Sequence, residues 1–181
     1  MTPPPVLFLA VAASAVDGWP VEIAWVAGDL QAGEAWLVRP AAGWDDLPWS
    51  TEAESLHGLS PERLDAEGVE PRRVAARLAE DLAGCVVACD NADLVRGWLR
   101  LLYDESPLAR PPEVREAAGL RPSPLRPEAP EVLRLRGRAG LTPGRALDDA
   151  AALALAWGLA RGEAAEDLAE DARDLLDYAG R

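Results

Sequence analysis

Two largely apolar runs open the chain, VLFLAVAASA from Val6 and VEIAWV after Pro20, with a short interval around Asp17-Gly18 between them. Apolar runs of this length, bounded by turn residues, read as strands. Within the interval, the Asp17-Gly18 step adopts φ > 0 readily, so the stretch predicts a β-hairpin whose second strand begins after Pro20. A further turn at Gly28-Asp29 leads into EAWLVRP, a third strand ended by Arg39-Pro40. Three strands joined this way form an antiparallel meander. Ser50 or Thr51 then caps a short helix through Leu56, with Glu54 near the capping-box position and His57-Gly58 closing it. Ser60-Pro61-Glu62 opens a second short helix.

The period changes after Pro71. Val74, Ala75, Leu78 and Leu82 recur at helical spacing, and Gly84 ends that helix. CVVACD is continuously apolar until its last residue, as in a strand buried on both faces. LVRGWLRLLYDE places Leu94, Trp98, Leu101 and Leu102 on one face of a helix. From Pro107 to Gly140 the periodicity fades and Pro recurs, so residues 107–140 are expected to form a long connection or a loosely packed helical excursion. Thr142-Pro143 starts the helix RALDDAAALALAWGLAR, apolar along one side. Residues 163–181 read as a final acidic amphipathic helix with Leu168, Leu175 and Leu176 facing inward. The order predicts one α/β domain over 1–181, a mixed sheet flanked by helices.

Size and charge narrow the functions. A chain of 181 residues suits one such domain and is too short for two comfortable ones. The formal net charge is −13, which disfavours strong nonspecific binding to a phosphate backbone. Every basic residue is Arg. Between Arg110 and Arg145 eight Arg face four Glu, the one local excess of positive charge. Within it Arg134, Arg136 and Arg138 are the candidate nucleic-acid contacts, against the plainer expectation of a solvated surface. Seven Trp suggest aromatic surface buried against a protein partner.

Cys85 and Cys89 would lie about 13 Å apart on a strand at roughly 3.3 Å per residue, too far for a disulfide. Buried thiols and a reduced, cytoplasmic compartment are expected. No apolar run is long enough to cross a bilayer. VLFLAVAASA has the form of a secretion-signal core with an A-x-A step, but MTPPP before it has no positive charge. The strand VEIAWV would also lose its partner. Phosphate-binding glycine loops, the G-x-S-x-G elbow and Cys/His zinc spacings are all missing from the sequence. Asp90 and Asp93 are expected to cap the helix that follows them. His57, the single histidine, is expected to pack or cap.

Four segments resemble the DEDDh-type 3′–5′ exonucleases, a proofreading-exonuclease family with a ribonuclease H-like fold. FLAVAASAVDGWPVEIAWV is similar to the family's first motif, a strand carrying aspartate-x-glutamate followed by a strand with glutamate-isoleucine, here Glu22-Ile23. AESLHGL resembles the helix that ends in His-Gly. VVACDNADLVRGWL resembles the second motif and PGRALDDAAALALAW the third. The likeness spans most of residues 6–160.

The resemblance implies a ribonuclease H-like mixed sheet and, for typical members, hydrolysis of a terminal phosphodiester by two divalent cations. Carboxylates hold those cations roughly 4 Å apart so that attacking and leaving oxygens are both stabilised, and hard cations such as Mg²⁺ or Mn²⁺ need oxygen ligands. A histidine five residues before the last aspartate acts as general base. In this chain the first-motif carboxylates fall on Ala10 and Ala12, the second-motif aspartate on Val95 and the histidine on Gly144. Only the last aspartate is kept, as Asp149, by itself a weak metal ligand. The resemblance therefore implies a non-catalytic pseudo-exonuclease with no cofactor, which binds a nucleic-acid end or a protein partner. The alternative is an active exonuclease using Mg²⁺ or Mn²⁺ through displaced ligands. Asp93, some 200° around the helix from Val95 at about 100° per residue, is poorly placed to supply one. Asp148 points off the face of Asp149, and Asp17 lies at the hairpin turn.

Overall fold

In a computed structural model the structure describes residues 3–179. Val6–Ala13 forms strand β1, which lies at the centre of the sheet. Pro20–Ala27 (β2) pairs with it antiparallel, and Gly33–Leu37 (β3) extends the meander. On the other side of β1, Val86–Cys89 (β4) pairs in parallel, followed by Val114–Glu116 (β5). The sheet order is β3-β2-β1-β4-β5. The fifth strand departs from expectation. Only three residues long and set among prolines, it is too short to leave a period in the sequence.

The hairpin also closes differently from its expected Asp17-Gly18 turn. The strands end at Ala13 and resume at Pro20, and Gly18 is not at positive φ. Ser14 fastens the connection: its N–H donates to the Trp19 carbonyl at 2.9 Å, and its Oγ accepts from the Trp19 N–H at 3.0 Å. Gly18 is required by close approach, because a Cβ there would lie 2.1 Å from Ser14 Oγ.

Helices cover both faces. On one lie Pro61–Glu67 (α2, after the short α1, Thr51–His57), Pro71–Asp81 (α3) and Ala92–Asp104 (α4). Leu7, Leu9, Val21 and Ile23 point from the sheet into this layer. On the other lie Pro130–Ala139 (α5), Ala146–Ala160 (α6) and Ala165–Ala179 (α7), packed on Phe8, Ala10, Ala24 and Val26. This alternation along β1 and β2 is the period-two pattern of strands buried on both faces.

Several helical details were not expected. Helix α6 is buried all round rather than on one side, since the sheet lies beneath it and α5 and α7 pack over it. Within residues 107–140, α5 is a packed helix that buries Val132, Leu135 and Ala139. On α4 the buried face runs through Val95, Leu99 and Leu102, while Leu94 and Trp98 stand half-buried to one side. Glu54 does not close a capping box; its Oε2 accepts from Trp49 Nε1 at 2.7 Å, and Ser50 caps α1 alone. Gly84 lies beyond the end of α3 in the left-handed conformation. Cys85 and Cys89 are free thiols. Of the seven Trp, Trp19 and Trp44 are buried and the other five are half-buried.

Candidate functional site

A cleft of about 210 Å³ opens beyond the C-terminal ends of the parallel strands β1 and β4, where open α/β sheets place their ligands. Ala10 of β1 and Val95 of α4 line it, and both are buried. Helix α4 also contributes Leu94 and Trp98, α5 contributes Val132 and Arg136, and α6 contributes Asp149, Ala152 and Leu153. Ala12 lies outside the cleft, at the point where the β1–β2 register becomes irregular.

Asp149 sits in the first turn of α6, and both its oxygens are engaged. Arg136 Nη2 donates to Oδ1 at 2.9 Å, and the Gly144 N–H donates to Oδ2 at 3.0 Å. Burial pushes the Asp149 carboxyl above its usual range, opposed by the Arg136 charge and the Gly144 hydrogen bond. Asp90 borders the same cleft and adds to the upward push. Its Oδ1 accepts from the Asn91 N–H at 2.8 Å. Asn91, rather than Asp90 or Asp93, caps α4 by accepting from the Leu94 N–H at 3.1 Å, and Asp93 pairs with Arg96 at 2.9 Å.

Gly144 has no room for a side chain. Its φ is 91°, and a Cβ would stand 2.4 Å from Leu56 Cγ and 2.9 Å from the Leu56 carbonyl oxygen. The place that the resemblance gives to a general base is occupied by the end of α1. The trio Arg134, Arg136 and Arg138 also divides. Arg134 and Arg138 are exposed on α5, while the Arg136 side chain turns into the cleft and is only 15% exposed.

The two cations of two-metal hydrolysis do not fit this donor set. Each Asp149 oxygen accepts one hydrogen bond, Arg136 brings a positive charge to Oδ1, Asp90 is the one other carboxylate lining the cleft, and Ala10, Ala12 and Val95 carry no ligating atom. Among the described residues no group of three or more His, Cys, Asp or Glu side chains is placed to hold a metal.

An ion pair between Glu22 and Arg145 lines a second depression and carries no expectation from the sequence beyond the Glu22-Ile23 resemblance. Glu22 of β2 is 2% exposed, on the same sheet face as Ala24 and Val26. Its carboxylate accepts from Arg145 Nε at 2.9 Å, from Arg145 Nη2 at 2.6 Å and from the Ala146 N–H at 2.8 Å. That fork ties the sheet to the start of α6 and so positions Gly144 and Asp149. A glutamate at an inward strand position was the available signal. Asp148 turns away from the cleft and accepts from the Thr142 N–H at 2.5 Å. His57 is buried; its Nδ1 accepts from the Leu59 N–H at 3.1 Å. Burial lowers its pKa, against the pull of Glu22 and Glu54.

No protein-family model matches the chain, and no curated protein matches it by sequence. Solved structures do match. E. coli Exonuclease I in complex with a dT13 oligonucleotide aligns at TM-score 0.62 and 18% identity, over 87% of this chain and 41% of that one. The zinc-ion-bound form of the E. coli ExoI–ssDNA complex aligns at 0.58 and 17%, over 98% and 43%. Exonuclease X in complex with 5′ overhanging duplex DNA aligns at 0.54 and 21%, over 92% and 99%. The fold is that of these exonucleases. The five-stranded mixed sheet with helices on both faces is accordingly ribonuclease H-like. The chain spans about two-fifths of Exonuclease I and nearly all of the Exonuclease X chain.

Proposed function

We propose that this chain is a non-catalytic member of the exonuclease fold, which acts by binding a nucleic-acid end or a protein partner. The observation that carries this reading is the engagement of both Asp149 oxygens, by the Arg136 guanidinium and the Gly144 N–H. A guanidinium at 2.9 Å offsets the charge that a cation would need, and releasing it would strip a mostly buried Arg of its partner. The remaining positions in the proposed former site, Ala10, Ala12, Val95 and Gly144, neither ligate a metal nor move a proton. The single-stranded and duplex DNA held by the structural neighbours supports nucleic acid as the ligand class.

One observation favours an active enzyme with displaced ligands: Asp90 and Asp149 border the same cleft. Two carboxylates, one of them held by Arg, fall short of the ligand set that two-metal hydrolysis needs. A titration of Mg²⁺ and Mn²⁺ with end-labelled single-stranded DNA and RNA decides between the readings. The expected result is full-length substrate at every metal concentration. Metal-dependent trimming that disappears in Asp149→Ala and Asp90→Asn would overturn the proposal.

A further inference from the structure

The sheet ends on two unlike edges. β5 is three residues long, follows Pro111 and Pro112, and has its Val114 carbonyl taken by Arg96 Nη2 at 2.8 Å. Short length and neighbouring prolines are how sheets blunt an open edge. β3 has neither guard. Gly33–Leu37 contains no proline, runs in regular register with β2, and has its one charge, Glu34, held by Arg77 at 3.4 Å.

The register fixes which backbone groups of β3 are open. The Val38 N–H donates to the Val21 carbonyl, and the Ala27 N–H donates to the Ala32 carbonyl, both at pairings of the β2–β3 ladder. Antiparallel bonding alternates, so Glu34 and Trp36 also turn their backbone groups to β2. Gly33, Ala35 and Leu37 turn theirs outward. The Val69 N–H takes one of these, the Leu37 carbonyl, at 2.8 Å, and closes the edge at that end. Among the described residues no hydrogen bond reaches Ala35 from the outer side.

Open space lies beyond this edge. A depression of about 760 Å³ is lined from both faces of the sheet, by Trp25 and Arg77 on the α3 side and by Ala35, Tyr178 and Ala179 on the α7 side. The depression that the Glu22–Arg145 pair lines, about 610 Å³, shares Ala35 and Ala179 with it and continues to Leu56. Tyr178 and Leu56, both exposed, therefore stand along one groove that follows the strand. It shares no lining residue with the cleft around Asp149.

We propose that this groove takes an extended, basic segment of another protein, which adds to the sheet as a strand beside β3. Strand addition draws affinity from main-chain bonds and specificity from alternate side chains. Every second residue of the segment would lie over Ala35 and Tyr178 and be apolar. Its positive charge follows from α7, which exposes Glu170, Asp174 and Asp177 at helical spacing beside the groove, and from the net charge of −13. A second copy of this chain is a poor occupant. Antiparallel pairing about Glu34 sets that carboxylate against its own counterpart. Pairing about Ala35 brings Gly33 against Leu37, whose carbonyl Val69 already holds. The inference goes beyond the reading above, because it gives a protein partner its own surface and stands whether or not the cleft binds nucleic acid.

Fluorescence anisotropy of labelled hexapeptides that alternate valine with lysine, serine or glutamate tests this, together with amide hydrogen exchange on the wild-type protein. The lysine–valine peptide is expected to bind most tightly and the glutamate–valine peptide least, with the difference reduced by salt. Binding should protect the Ala35 amide, which exchanges readily in the unbound protein. N-methylation of either the valines or the lysines blocks one edge of the peptide. One methylated form should lose about tenfold or more in affinity and the other should keep it, while Ala35→Pro should weaken every peptide. The methylated peptides are read on wild-type protein, so they stand apart from any effect of the variant on folding. No binding of the lysine–valine peptide at about 1 mM, binding that leaves Ala35 unprotected, or equal affinity of the two methylated forms would each overturn the proposal. Protection of Ala35 without peptide, rising with protein concentration, would overturn it in favour of a second copy. Failure here leaves the metal titration above unaffected, since no arm of the test involves a metal or a nucleic acid.

Discussion

Asp149 is a carboxylate with its hydrogen-bonding needs met inside the protein. Replacing it with Ala leaves the Arg136 guanidinium and the Gly144 N–H without their acceptor. The expected loss is about 1–3 kcal/mol of unfolding free energy, read from urea denaturation, with Asp149→Asn costing less. A residue kept only for catalysis would instead be removed at little cost. His57 makes a second prediction at this scale. Burial holds it neutral, with its pKa lowered, while the unfolded chain takes up its proton near pH 6.5. Its stabilising contribution is therefore present above that pH and is lost as pH falls from about 6.5 toward the folded pKa. The stability difference between wild type and His57→Asn should shrink between pH 7 and pH 5.5; a difference independent of pH would contradict the neutral, buried state. The sequence marks Asp149, Ala10 and Val95 by their place in the segments that resemble the exonuclease motifs. It gives no sign of the Arg136 contact, because that pairing spans two helices and depends on how α5 docks.

At the scale of elements, the fork between Glu22 and Arg145 fixes the start of α6. Arg145→Ala leaves the buried Glu22 carboxylate with the Ala146 N–H as its remaining donor and should cost about 1–3 kcal/mol. Glu22→Gln keeps an acceptor for Arg145 and should cost less. Equal losses would show that packing rather than the ion pair ties β2 to α6. Gly144→Ala meets both the φ of 91° and the Leu56 contact, so it should destabilise by about 1–3 kcal/mol. Leu56→Ala in the same chain should recover only part of the loss, since the Leu56 carbonyl oxygen would still stand 2.9 Å from the new Cβ. The elements with a clear period were legible in the sequence: β1 to β4, α3 and α4 all lie where apolar spacing puts them. β5 and α5 were not, since prolines break the pattern before either has run long enough to show one. The burial of helix α6 on every side leaves no mark in the sequence, because alanine marks no face; its small side chains let the helix press against the sheet on one side and α5 and α7 on the other.

At the scale of the whole molecule, the chain has the fold of the exonucleases it is similar to, and the proposed non-catalytic role rests on the electrostatics of one cleft. The sheet order, the parallel β1–β4 pair and the cleft beyond their ends provide the frame. An internal Arg136–Asp149 pair stands in that cleft. No helix among the described residues is long and apolar enough to cross a membrane. The net charge of −13 also makes any nucleic-acid contact depend on local geometry rather than on a general attraction. The central claim is that this cleft has exchanged cations for a guanidinium, and crystals soaked in Mn²⁺ test it most directly. The account predicts no anomalous peaks beside Asp149 and an Arg136–Asp149 contact that stays near 2.9 Å. Two peaks about 4 Å apart, with Arg136 displaced, would contradict it.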